Sequence, residues 1–429
     1  MSFATKTSKE LKALCAEHGL AKSGKKSVLV ERLTAALATS AVATENVASN
    51  APAPAKSPAV GKRAERYQKV EQREHILMRP DTYVGSVHEQ PLECWVFDAA
   101  AQSLVPKEVS VVPALFKIFD EILVNASDNK QRDPRGMTSM RVVIDAEAGT
   151  ISVRNNGRGV PIEMHEQHGM YVPELIFGNL LTSDNYDDAH DKRTTGGRNG
   201  FGAKLTNIFS TSFTVETADS RVGKRYTQTW SANMTEKTVP EIESYSGEDF
   251  TQITFTPDLA KFSLSCITPD MLALLTKRVY DIAGVTDKSL RVWLNGEKLA
   301  IKCFEQYVGM CRESLFKQAS TVLAEGAGEK RIAYCRVNDR WEIAICASDG
   351  QFRQVSFVNS INTSKGGSHV KVGISLLLPS SHPRCSQRHL TSLLSLSLST
   401  PPPPPLPPLS LSSSVVVVVV THSMSRIAS

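Results

Sequence analysis

The chain has 429 residues, enough for two or three domains, and its 41% apolar and 22% charged content excludes a protein disordered throughout. Formal net charge is +5, unevenly placed: residues 1–80 carry 14 Lys/Arg against 7 Asp/Glu, the remainder 35 against 37. A basic arm on a near-neutral body points to nucleic-acid contact at the N-terminal end.

Residues 7–38 read as two short helices. Thr7-Ser8-Lys9-Glu10 fits a capping box, in which hydroxyl and carboxylate satisfy free N–H groups reciprocally. Leu11, Leu14, Cys15 and His18 share one helical face, Gly19 stops the helix, and Val28, Leu29 and Leu33 open a second apolar face after the basic turn "AKSGKKS". Over residues 1–40 the pattern resembles the SAP domain, a small DNA-binding helical module; a generic helical hairpin is the alternative. The resemblance implies duplex-DNA contact through Lys22, Lys25, Lys26 and Arg32.

Residues 41–62, rich in Ala, Pro and Ser, are expected to form a flexible linker. Residues 63–265 alternate helical and strand patterns and predict an α/β domain. Residues 266–374 predict a second, partial α/β domain: the amphipathic "DMLALLTKRVYDIAGV", then strand candidates "LRVWLNG", "RIAYCRV", "WEIAICAS" and "QVSFVNS". Residues 375–429 change character, with Pro, Ser and Val runs and no Asp or Glu after Asp349, and are expected to be disordered. The strand pattern breaks off near "HVKVG", which reads as an abnormal end to the coding sequence rather than a Pro-rich partner motif. No apolar h-region opens the chain, and no apolar run reaches membrane-span length. The eight cysteines form no C-x-x-C pair, which predicts buried thiols in a reducing compartment.

Three stretches carry chemistry. In "DEILVNASDNKQRD" (120–133) a helix is predicted whose buried stripe runs through positions 115, 118, 119, 122, 123 and 126. Glu121, Asn125, Asp128 and Asn129 border that stripe, a costly placement unless something binds there. In "TISVRNNGRGVPI" a strand enters Asn155-Asn156-Gly157-Arg158-Gly159, where two glycines permit a tight turn and close approach to a flat ligand. In "TTGGRNGFGAKLTNIF", Gly196, Gly197, Gly200 and Gly202 lead into a helix whose free N–H groups suit phosphates, and Lys204 adds charge. The loop is neither a Walker A sequence nor G-x-G-x-x-G. "MHEQHG" misses H-E-x-x-H by one residue, so His165 and His168 read as surface or structural histidines.

In this order the three stretches resemble the GHKL ATPases, and among them the eukaryotic type IIA DNA topoisomerase family. "YQKVEQREHILMRPDTYVGSV", "FDEILVNASDNKQRDP", "RNNGRGVPI", "YVPELIFGNLLTSDNYDD", "TGGRNGFGAKLTNIFS" and "SFVNSINTSKGGSHV" follow in family order from about residue 65 to 370. The resemblance implies an α/β (α+β) sandwich, a mixed sheet with helices on one face, followed by a transducer domain. It implies Glu121 as general base, Asn125 as the Mg²⁺ ligand, and Asn129 and Asn155 as further ATP contacts. Ser183, Asp184 and Asn185 match a ribose/phosphate segment, with Asp184 replacing a more usual Ser. Gly197, Arg198, Asn199, Gly200, Phe201, Gly202, Ala203 and Lys204 match the lid over the phosphates, with Phe201 where Tyr is common.

The family's partners would be double-stranded DNA and a second copy of the chain, joined on ATP binding with a strap (Tyr67 to about Val87) crossing between them; its location would be nuclear. No membrane partner is expected. The family's transducer lysine lies in a Gln-Thr-Lys loop, and no such run occurs in this sequence. The cleavage core is also absent from it. The chain alone is therefore expected to be a weak ATPase at most. Two alternatives stay open: another GHKL protein (chaperone, histidine kinase or mismatch-repair ATPase), or a non-catalytic, DNA-tethered nucleotide-binding fragment.

Overall fold

The structure, a computed structural model, describes residues 69–180, 200–319, 332–338, 341–347, 352–370 and 415–421, together with scattered positions between 7 and 33. The chain divides into two units, Met1–Lys69 and Val70–Ser429. In the first, Leu11, Lys12, Leu14 and Cys15 are helical, as are Lys26–Val30 and Leu33. Leu11, Cys15, Leu29 and Leu33 form its fully buried core. The Leu11 N–H donates to the Thr7 carbonyl, at the position expected to start the first helix. The linker 41–62 lies outside the described residues.

The second unit opens with helices α1 (Gln72–Met78) and α2 (Pro80–Tyr83), then a hairpin of β1 (Gln90–Asp98) and β2 (Ser103–Val111). Helix α3 (Pro113–Arg132) follows. Pro113 suits its first turn, where a missing N–H costs nothing. Next come β3 (Ser139–Asp145), β4 (Thr150–Asn156), the short β5 (Met164–His165) and β6 (Met170–Tyr171), and helices α4 (Val172–Gly178) and α5 (Gly202–Ile208). A run of strands ends the domain: β7 (Ser210–Asp219), β8 (Lys224–Ser231), β9 (Glu236–Lys237), β10 (Glu241–Ser244) and β11 (Phe250–Pro257).

Helix α6 (Pro269–Val285) is capped by the Thr268 hydroxyl, which accepts the Met271 N–H at 3.3 Å. It is followed by β12 (Arg291–Leu294) and β13 (Glu297–Lys298). Among the described residues, the large sheet has the order β10-β8-β7-β11-β4-β3-β12-β13, with β9 on β8. All its pairings are antiparallel except β12 on β3, which is parallel. "LRVWLNG", expected in the second domain, thus completes the first sheet after the α6 crossover. The division expected at 265/266 falls inside this layer, because strand alternation says nothing about which sheet edge a strand joins.

The six positions expected to form the buried stripe of α3 are all buried: Leu115, Ile118, Phe119, Ile122, Leu123 and Ala126. They pack over the inward residues of alternating strands, among them Met140, Val142, Ile151, Val153, Val215, Ile253 and Phe255. Each large side chain contributes about 1.5–3 kcal/mol by leaving water. The fold class expected from sequence, a mixed sheet with helices on one face, is the one observed.

The second domain holds α7 (Phe304–Ala319), β14 (Ala333–Asn338), β15 (Trp341–Ala347), β16 (Arg353–Val358) and β17 (Ile361–Asn362). Its core gathers Val285, Phe304, Tyr307, Val308, Ala344, Val355 and Phe357. Trp95 and Leu104 of the β1–β2 hairpin join that core, while Val96 and Val109 join the first. The hairpin is therefore shared between the two. Val415–Thr421 forms β18, antiparallel to β15 and parallel to β16. Over these residues the disorder expected for 375–429 does not hold; a run of β-branched valines favours extended backbone. The rest of that segment lies outside the described residues.

Candidate functional site

Helix α3 presents its polar residues in two ways. Asp120, Ser127, Asp128 and Lys130 are buried, whereas Glu121, Asn125 and Asn129 are only partly so. Lys130 is absorbed structurally: its ammonium donates to the Pro134 and Met137 carbonyls (2.6 and 2.7 Å) and the Ser289 hydroxyl (2.9 Å). Burial lowers its pKa below the ordinary lysine value, against the pull of Asp287 and Asp133.

Glu121 forms an ion pair with Lys117, one turn earlier on the same helix. Burial opposes the Lys117 charge, but the Glu121 carboxylate outweighs it and lifts that lysine above its ordinary value. Lys117 was not singled out from sequence, although its i, i+4 spacing from Glu121 was there to read. The other neighbour of Glu121 is Gly202, the first residue of α5. A Cβ at Gly202 would stand 2.1 Å from Glu121 Oε2, so only glycine leaves room for the carboxylate in this position. Helix α5 is fixed against α3 by the Thr206 hydroxyl, which donates to the Ile118 carbonyl at 2.8 Å. Glu121 and the N-terminal end of α5 are thus brought together.

The Asn125 side chain makes no hydrogen bond to a described residue, and Asn129 has a buried side-chain amide nitrogen without a partner among the described residues. A buried donor left unsatisfied costs about 1–3 kcal/mol.

The turn after β4 is assembled differently from the expectation. Asn155 is buried and donates to the Asn156 carbonyl (3.1 Å). Asn156 braces the neighbouring loop: its Oδ1 accepts the Thr138 and Ser139 N–H groups (2.9 and 2.7 Å), and its Nδ2 donates to Thr138 Oγ1 and Glu248 Oε1. Gly157 has φ +88°, where a Cβ would stand 2.8 Å from the Met137 backbone, and a Cβ on Gly159 would stand 2.1 Å from the Ala218 carbonyl oxygen. The close approach these glycines allow is therefore to the protein's own backbone.

In the lid, Gly200, Phe201, Gly202, Ala203 and Lys204 are described; Ser183, Asp184, Asn185, Gly197, Arg198 and Asn199 lie outside the described residues. Lys204 is buried, and its ammonium donates to the Gly200 carbonyl (2.5 Å), so part of its hydrogen-bonding capacity holds the loop. The Phe201 ring lies 6.2 Å from that of Tyr83. The His165 and His168 rings lie 4.8 Å apart, tilted by 36°, and the described residues hold no cluster of three metal-ligating side chains. In the N-terminal unit Lys25 and Lys26 are exposed, while Lys22 and Arg32 lie outside the described residues. No described helix is long and apolar enough to cross a membrane.

Comparison with known proteins agrees with this geometry. Residues 111–259 match the family of histidine kinase-, DNA gyrase B- and HSP90-like ATPases, and residues 2–38 match the SAP domain. Proteins called DNA topoisomerase 2 are 52% identical in Meyerozyma guilliermondii over 75% of this chain, 52% in Arabidopsis thaliana over 76%, and 50% in Saccharomyces cerevisiae over 72%. The chain spans less than a quarter of their length: 23%, 22% and 22%. The solved ATPase region of Saccharomyces cerevisiae topoisomerase II superposes with a TM-score of 0.71 at 42% identity, covering 84% of this chain and 86% of that one. The ATPase and transducer domains of DNA topoisomerase II from Balamuthia mandrillaris give 0.70 at 40% identity, covering 86% of each. Matching the Saccharomyces cerevisiae ATPase region at 42% identity over 84% of its own length, the chain belongs to the eukaryotic DNA topoisomerase II family.

Proposed function

We propose that residues 63–265 bind and hydrolyse Mg·ATP on the exposed edge of α3. The observation that carries this reading is the row Glu121, Asn125 and Asn129 on α3, with an unpartnered amide nitrogen at Asn129 and Glu121 packed on the glycine entry to α5. Glu121 accepts the proton of the attacking water. Asn129 and Asn155 contact the nucleotide, and the lid from Gly197 to Lys204, with Ser183, Asp184 and Asn185, closes over ribose and phosphates. The free Asn125 side-chain oxygen is a hard donor, suited to Mg²⁺ together with phosphate oxygens. That ion would neutralise charge building on the transferred phosphoryl group. ATP is the ligand of the domain and Mg²⁺ its cofactor.

In the whole protein this region would act as an ATP-driven gate: two copies pair when ATP binds, and DNA topology changes by double-strand passage in the nucleus. The SAP unit would hold duplex DNA through Lys22, Lys25, Lys26 and Arg32, of which Lys25 and Lys26 are exposed. Such phosphate contacts release counterions, so affinity should fall steeply with salt.

Calorimetry with Mg·ATP on the full chain and two variants tests the nucleotide site. Asn125→Ala should lose Mg·ATP binding, whereas Glu121→Gln should keep binding and lose turnover. Undiminished affinity in Asn125→Ala would overturn the assignment.

A further inference from the structure

A group of buried charges lies where α3, α6, α7 and the β16–β17 turn meet, with one donor, Arg278 Nη1, left without a hydrogen-bond partner among the described residues. Arg278 on α6 is fully buried. Its Nε donates to Asp120 Oδ1 at 2.6 Å, and Asp120 immediately precedes Glu121. Its Nη2 donates to the Ser360 carbonyl at 2.7 Å. Ser360 sits in the tight turn between β16 and β17, where Asn359 and Ser360 have φ of 49° and 63°. Neither is glycine, so that turn holds a backbone shape that L-residues rarely adopt, and its carbonyl points at the guanidinium.

The charges balance locally. Asp281 takes Lys277 Nζ (2.8 Å), the Tyr307 hydroxyl (2.6 Å) and Asn362 Nδ2 (3.3 Å), and lies 3.9 Å from Arg278 Nη1. Two cations and two carboxylates from α3 and α6 are thereby tied to α7 and the β16–β17 turn. A planar guanidinium offers donors in fixed directions, so one residue can grip a side chain on one domain and a carbonyl on the other. Simple stability does not require this arrangement, since apolar packing of similar volume commonly serves as well or better.

We infer that Arg278 is a positioning residue for the nucleotide site, setting α3 and therefore Glu121 through Asp120 according to where the second domain holds the Ser360 turn. This rests on the proposal that α3 binds Mg·ATP. Movement of the turn reaches the catalytic helix through two hydrogen bonds, and displacement of α3 by nucleotide reaches the turn by the same route.

The test uses the full chain, with Mg·ATP affinity by calorimetry, turnover of labelled ATP at saturation, and amide hydrogen exchange over residues 353–362 with and without Mg·ATP. In the parent chain, nucleotide should change exchange in that segment. Arg278→Lys keeps the charge but loses the fork. It should leave affinity nearly unchanged, lower turnover by about 10- to 100-fold, as misplacement of a reacting group does, and abolish the nucleotide-dependent change in exchange. The double variant Asp120→Asn/Arg278→Gln removes one charge of each sign, leaves no unpaired buried charge, and should behave alike if the lysine variant folds poorly. Variants that are less stable yet keep both turnover and nucleotide-dependent exchange would reduce Arg278 to a structural brace and overturn the inference. So would a parent chain that binds Mg·ATP without any change in residues 353–362. A parent chain that fails to bind Mg·ATP would sink the nucleotide reading itself, and this inference with it.

Discussion

The two sides of α3 treat polar groups in opposite ways. Toward α6 and the second domain, Asp120 is buried and bonded to Arg278, within a cluster in which Asp281 accepts hydrogen bonds from three side chains. Beside it, Glu121 has Lys117 as its ion-pair partner and packs on Gly202 of α5; further along the same helix the Asn125 side chain bonds to no described residue and an Asn129 donor is orphaned. A buried polar group that has found its partners belongs to the fold. One left without them keeps its desolvation cost in the free protein, as at Asn129 Nδ2 and also at Ser127 Oγ on α3 and Arg278 Nη1 on α6. Both kinds sit within one helix, at Asp120 and Asn129.

The strongest way to break this comparison is from the satisfied side. Asp281→Ala should strand Lys277 and the Tyr307 hydroxyl, whose pKa is already raised by burial and then by the Asp281 charge. Loss of one partner from a buried ion pair costs about 3–5 kcal/mol. Urea denaturation should register it as a large drop in midpoint; a drop typical of a surface substitution would show that these bonds contribute little.

Gly202→Ala probes the open side. The new Cβ meets the far end of a flexible side chain, so Glu121 can swing away and the fold should survive. The cost then falls on chemistry. Turnover should fall about 10²-fold, as for a misplacement of about 1 Å, with Mg·ATP still bound in calorimetry. Equal losses in stability and activity would instead mean that Gly202 serves packing.

Asn129→Ala should separate the two sides by sign. Removing an orphaned donor should stabilise the free protein by up to about 1–3 kcal/mol, the desolvation it no longer suffers, yet weaken nucleotide binding by about 1–3 kcal/mol. Thermal melts with and without Mg·ATP would show the difference directly. A variant destabilised equally in both conditions would place Asn129 among the structural residues.

The smallest effect concerns His369 in "SKGGSHV", whose Nε2 is 3.0 Å from the Thr363 hydroxyl. Burial lowers its pKa below the ordinary histidine value. Folding favours the neutral ring, so as pH falls the unfolded chain takes up the proton first. Any contribution is intact above about pH 6.5, the unperturbed value, and is lost progressively as pH drops toward the folded-state value. Amide exchange over residues 363–370 should quicken on acidification through that window, and His369→Gln should remove the dependence.

Local pattern was enough to read the stripe of α3 from Leu115 to Ala126, the small core of the N-terminal unit around Leu11 and Leu29, and the row Glu121, Asn125, Asn129. Helical spacing fixes which side chains share a face, and a polar residue at a core edge announces itself by position alone. The same logic was available for Lys117, one turn from Glu121. Tertiary structure decided what spacing cannot encode. Arg278 and Asp120 are 158 residues apart in sequence, and no periodicity joins them. Strand β12 was readable as a strand, but its place beside β3 depended on where the α6 crossover returns the chain. Gly157 and Gly159 were readable as glycines that permit close approach; only the packed fold showed that Met137 and the Ala218 carbonyl take that space. Hydrophobic period is a property of consecutive residues, whereas partner choice, strand order and shared space arise when distant segments compete for one volume at close packing.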